Sequence, residues 1–126
     1  VHEPNISWDG ARSQTNAEKY NFEEFSLEAM LRGNLPHNNP MWRKSLHKKH
    51  GYFDDKYVSA ADWDFWLRCA LGGSQFKKHS EVLGVYYFNP SGISTNKETE
   101  TEKMKEELEI FKKHQKTYVA ASMLPD

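Results

Sequence analysis

The chain has 126 residues, 28% of them charged, and its acidic and basic residues nearly cancel to a formal net charge of -1. That length allows one domain around a single modest core, and the balance excludes a global field pulling the chain onto nucleic acid or an anionic membrane, so any anion binding has to be local. The lone Cys69 excludes an internal disulfide and a cysteine-built zinc site, and points to a reducing, cytoplasmic setting.

No apolar run approaches the roughly 18 residues of a membrane span, and no leader pattern is present. Aromatic residues make up 13% of the chain, with four Trp and six Tyr, more than a small core absorbs, so some should line a groove. Val1 in place of Met predicts either a processed product or a piece cut from a longer protein.

Residues 1–21 are polar and turn-rich and predict an irregular arm with at most one short strand. From Phe22 the apolar positions approach helical spacing, with Ser26 as N-cap and Gly33 at the end, which predicts a short helix. Asn34 to Pro40 predicts a loop, because Pro36 and Pro40 each hold the preceding residue out of the helical region. Met41 to His50 predicts a helix stopped by Gly51, with Trp42 and Leu46 on one side and Arg43, Lys44, Lys48 and Lys49 around the other. Tyr52 to Lys56 predicts a turn.

The strongest helical signal follows. Trp63, Trp66, Leu67, Ala70 and Leu71 repeat at i, i+3, i+4, i+7 and i+8 before Gly72 and Gly73. Gln75–Lys78 and Glu81–Phe88 predict two strands and a hairpin. The segment 96–121 predicts a long charged helix whose stripe of Met104, Leu108, Phe111, Gln115 and Tyr118 docks on the rest.

Within Asp62-Trp63-Asp64, side chains two apart on a helix diverge by roughly 200°, so the acids need separate explanations. Asp64 has Arg68 four residues on, an exposed ion pair of a few tenths of a kcal/mol. Asp62 lies three residues after Ser59, as in a capping box. It equally suits a general base at the mouth of a groove, and both roles fit a residue at a helix start. Metal binding by this pair is disfavoured, since no apolar strand precedes it.

Three blocks, Pro40-Met-Trp-Arg-Lys to Gly51-Tyr-Phe-Asp54, Ala61-Asp-Trp-Asp-Phe-Trp-Leu-Arg68, and Glu81-Val-Leu-Gly-Val-Tyr-Tyr-Phe-Asn-Pro-Ser-Gly-Ile-Ser94, together resemble the acceptor-side, C-terminal half of family 2 glycosyltransferases. The resemblance covers about Leu35 to Thr95. It implies an α+β class, a partial GT-A, Rossmann-like fold that is mostly helical, with a short antiparallel strand pair and a long C-terminal helix, all within one domain.

It further implies an inverting transfer of a sugar from a nucleotide-sugar to an acceptor hydroxyl, with Asp62 as the base and Trp42, Arg43, Trp63 and Asp64 near the acceptor. Ala61 replaces the family's usual Glu, and Asn89 stands where many members carry His. No donor-binding β-α-β unit precedes residue 35, so the chain is expected to be the acceptor-side fragment of a longer enzyme and inactive alone. The divalent Mn or Mg of the intact enzyme would belong to the other half, with no metal held on this chain. Trp42, Trp63 and Trp66 could offer ring faces to a sugar, although the last two also fit the core stripe.

The partners implied are a sugar acceptor and a nucleotide-sugar donor, with no nucleic acid, no integral membrane segment, and self-association through surface left by the missing half. A competing expectation is a non-catalytic module that binds anions or nucleic acid through the basic and aromatic stretch 42–52. A zinc site on His47 and His50 is short of ligands.

Overall fold

The computed structural model describes residues 21–84, 86 and 89–123. Among the described residues four α-helices run in order: α1 Leu27–Arg32, α2 Ser45–His50, α3 Ala61–Leu71 and, after a 3-10 turn at Lys97–Thr99, α4 Glu100–Ser122. The arm predicted over 1–21 lies outside the described residues except for Asn21. No described helix is long and apolar enough to cross a membrane.

Helix α3 is the hub, in contact with each of the other three. Trp63, Asp64, Phe65, Trp66, Leu67, Cys69 and Ala70 are all buried, so the one-sided stripe of the sequence becomes a helix enclosed on nearly every side. Met30, Phe65, Leu67, Cys69 and Ile110 have no exposed surface. Each large apolar side chain so enclosed contributes roughly 1.5–3 kcal/mol.

The local punctuation follows the chemistry of the caps. Ser26 Oγ accepts from Ala29 N–H at 3.0 Å and starts α1. Gly51 ends α2 with φ of +79°, the left-handed region where a side chain would be strained. Helix α2 begins at Ser45 rather than Met41. Lys44 supplies no side-chain cap, and the approach is a turn in which Leu46 N–H and His47 N–H bond to the carbonyls of Arg43 and Lys44.

Two expectations are overturned. The antiparallel strand pair is absent: the described residues contain no strand, so this is not a partial GT-A, Rossmann-like α/β fold. Gln75–Lys78 and the described part of Glu81–Phe88 exchange no backbone hydrogen bonds. Each is instead tied down by single rings, Phe76 stacking on Phe25 at 4.8 Å and Tyr86 standing edge-on to His37 at 5.6 Å. Aromatic composition resembled a strand, but a strand also needs a partner edge, and none is offered here. Val85, Tyr87 and Phe88 lie outside the described residues.

The face of α4 differs too. Ile110 and His114 are its buried residues, while Met104 and Leu108 are 62% and 51% exposed. Polar contacts set this rotation, as Glu106, Lys113 and His114 all bond to the start of α3 or to Asp64.

Candidate functional site

Asp62 lies in the first turn of α3 and is half-buried. Asn34 Nδ2 donates to its Oδ2 at 2.8 Å, and the backbone N–H of Trp63 donates to its Oδ1 at 2.8 Å. Asn34 is itself oriented, because its Oδ1 accepts from His37 N–H at 3.2 Å, which fixes the amide with its NH₂ toward the carboxylate. His37 holds φ of +52°, a left-handed conformation uncommon for a residue with a side chain. Rings on both sides brace it, Phe22 at 5.7 Å and Tyr86 at 5.6 Å. Of the loop Asn34–Pro40, Asn34 thus sits directly against Asp62. A carboxylate offers about four lone-pair sites; two are taken here, and the rest can accept a proton from a bound group.

The capping box expected from Ser59 and Asp62 does not form. Glu106, from α4, instead holds the approach to this end: its carboxylate accepts from the N–H groups of Val58, Ser59 and Ala60 at 2.9, 2.8 and 2.6 Å, and from Ser59 Oγ at 3.2 Å. Burial works to raise the Glu106 carboxyl, but these backbone and hydroxyl donors outweigh it and hold it below the usual range. Within the first turn of α3 itself, Asp62 Oδ1 still takes the Trp63 N–H, while its Oδ2 is turned to Asn34.

Asp64 is buried entirely. Its Oδ1 takes His114 Nε2 at 2.7 Å and Lys113 Nζ at 2.9 Å, and its Oδ2 takes Arg68 Nε at 3.0 Å. Burial alone would raise its carboxyl, yet the hydrogen bonds and charges of His114 and Lys113 prevail and hold it at about 2. The exposed ion pair expected with Arg68 is thus the edge of an enclosed network, and Asp64 has no surface to offer an acceptor. Arg68 continues outward, its guanidinium donating to the carbonyls of His50 and Tyr52.

Trp42 is 39% exposed and donates its indole N–H to His47 Nε2 at 3.0 Å. It stands edge-on to Trp66 at 4.9 Å. Arg43 is exposed on the approach to α2. Trp63 is 7% exposed and donates its indole N–H to Met30 O at 2.8 Å. Trp66 is 2% exposed, so these two indoles belong to the core. Trp63 also shares with Leu31, Met104, Leu108 and Phe111 the lining of an apolar groove of about 780 Å³, which Asp62 does not line.

The carboxylates of Asp62 and Asp64 reach different partners and do not converge. Among the described residues no group of three or more His, Cys, Asp or Glu is arranged to hold a metal ion. His47 is equally unsuited as a zinc ligand, with Nε2 engaged by Trp42 and Nδ1 facing Gly51 O at 3.0 Å.

Asn34, Glu106 and His114 were not singled out from the sequence. Asn34 followed a helix stop and was read as loop; Glu106 and His114 act across 47 and 50 residues, where no local pattern reaches. Comparisons with protein-family models, with curated proteins and with solved structures found no match. The resemblance therefore rests on the residues of the three blocks themselves.

Proposed function

We propose that the chain forms the acceptor-side part of an inverting glycosyltransferase in which Asp62 is the general base. The observation that carries this reading is the contrast between the two acids: Asp64 is consumed by its ion pairs with Arg68, Lys113 and His114, whereas Asp62 is half-exposed and oriented by Asn34 and by Trp63 N–H, with two lone-pair sites left open. A base needs this combination of fixed direction and free lone pairs.

In the reaction the Asp62 carboxylate takes the proton of the acceptor hydroxyl as that oxygen bonds to the anomeric carbon of a nucleotide-sugar. The bond from that carbon to the diphosphate oxygen breaks at the same time, its electron pair leaving on the nucleotide diphosphate. A single displacement inverts the anomeric centre. Asn34 holds the Asp62 carboxylate in its direction, and donor binding belongs to another part of the enzyme. No step is assigned to a metal on these residues. A lone, buried thiol at Cys69 suits a reducing, cytoplasmic setting.

The test is turnover of the full-length protein with a panel of nucleotide-sugars. Asp62→Asn should lower kcat by about 100-fold or more, the usual scale of general-base catalysis, while nucleotide-sugar binding and the far-ultraviolet dichroism stay as in the parent. Near-normal turnover in this variant, or no transfer from any nucleotide-sugar by the parent, rejects the reading.

A further inference from the structure

Residues 41–53 contain four Lys or Arg and no Asp or Glu. Arg43, Lys44, Lys48 and Lys49 are all exposed, and none has an acidic partner among the described residues. Lys44 and Lys48 are one helical turn apart and so share a side of α2. Set among these cations are Met41, Tyr52, Phe53 and Trp42, exposed by 98%, 71%, 42% and 39%.

The rings are stiffly mounted. Tyr52 stacks on His47 at 4.7 Å, and His47 stacks on buried Phe65 at 4.6 Å. Phe53 and Trp42 lie nearly parallel at 6.3 Å, and both stand edge-on to buried Trp66. Little side-chain entropy remains to be lost when these rings bury. Asp54, next along the chain, turns its carboxylate back to Lys56 N–H at 3.1 Å.

We propose that this face, α2 with its flanking turns, docks peripherally on an anionic phospholipid bilayer. Cations beside exposed aromatic and aliphatic groups suit the headgroup boundary, where each Lys or Arg gains Coulomb energy and the apolar groups leave water. The indole N–H of Trp42 is already satisfied by His47, so its ring can enter the boundary without stranding a donor. Met41 has no ring face to give a nucleic-acid base, yet suits acyl chains. With these four cations set aside, the rest of the chain carries a formal -5, so a negative surface is approached by this side. The inference is independent of the role of Asp62.

Co-sedimentation of the full-length protein with phosphatidylcholine vesicles containing about a third phosphatidylserine tests it. Binding is expected at low salt, weakening as salt rises, with none to phosphatidylcholine alone. Lys44→Gln with Lys48→Gln should weaken binding about tenfold or more, and Met41→Ser with Tyr52→Ser should weaken what survives at moderate salt. Lys112→Gln with Lys116→Gln, the same charge loss on α4, should leave binding unchanged. Failure to bind the anionic vesicles overturns the proposal, as does equal loss in both lysine pairs. Tighter binding to an oligothymidylate, with the same dependence on Lys44 and Lys48, would assign the face to nucleic acid instead.

Discussion

Asp62 and Asp64 differ by two positions and have opposite fates because a helix turns them to opposite sides. One meets a loop amide, the other is enclosed beneath Arg68, Lys113 and His114. Asn34 is the least conspicuous residue of the site and carries a direct prediction. Asn34→Ala removes both the bond to Asp62 and the acceptor for His37 N–H. It should cost about 1 kcal/mol of stability, read as a fall of a few degrees in Tm. If Asn34 orients the base, it should also lower kcat more than it changes KM for the donor. An unchanged kcat in a folded Asn34→Ala variant would remove Asn34 as a positioning residue.

Between elements, the joint that matters most is Glu106 against the start of α3. Three backbone N–H groups leading into the helix converge on one carboxylate; that of Ala60 is the one a capping-box acid within the helix would take. Glu106→Ala should destabilise the protein by about 2–3 kcal/mol, since it strands donors that are partly buried, measured as a lower midpoint in urea. Glu106→Gln, which keeps one acceptor oxygen, should lose less. Equal stability of the alanine variant and the parent would show that solvent replaces the cap at no cost. The same contact explains the rotation of α4. Its inward face is chosen by Glu106, Lys113 and His114 as much as by Ile110, which leaves Met104 and Leu108 outside beside the apolar groove.

Across the whole molecule, the Asp64 network joins α3 to α4 and, through Arg68, to the end of α2. Asp64 is held at about 2 in the folded chain against an ordinary 3.8. The folded state thus favours the ionised form, and its full contribution, about 2 kcal/mol, is present above pH 4. As pH falls from about 4 to about 2 the unfolded chain takes up a proton that the folded chain resists. Stability drops through that window, and the contribution is gone once the folded carboxyl is protonated. Asp64→Asn should cost about 2 kcal/mol at neutral pH, the contribution of the ionised carboxylate, and should flatten the loss between pH 4 and 2. A variant with the parent's acid slope would assign that slope to other carboxylates.

By itself the sequence determined the helical period of α3, the cap at Ser26, the stops at Gly51 and Gly72, and the divergence of Asp62 from Asp64. These depend on dihedral preference and on neighbours within about one turn, which a linear string displays. Tertiary structure alone decided that the described part of the aromatic segment 81–88 pairs with no described strand, and that Glu106 holds the approach to α3. It also decided that Asp64 is buried, and that α4 turns His114 inward. Each joins residues tens of positions apart, where packing and the need to satisfy buried charge outweigh local propensity.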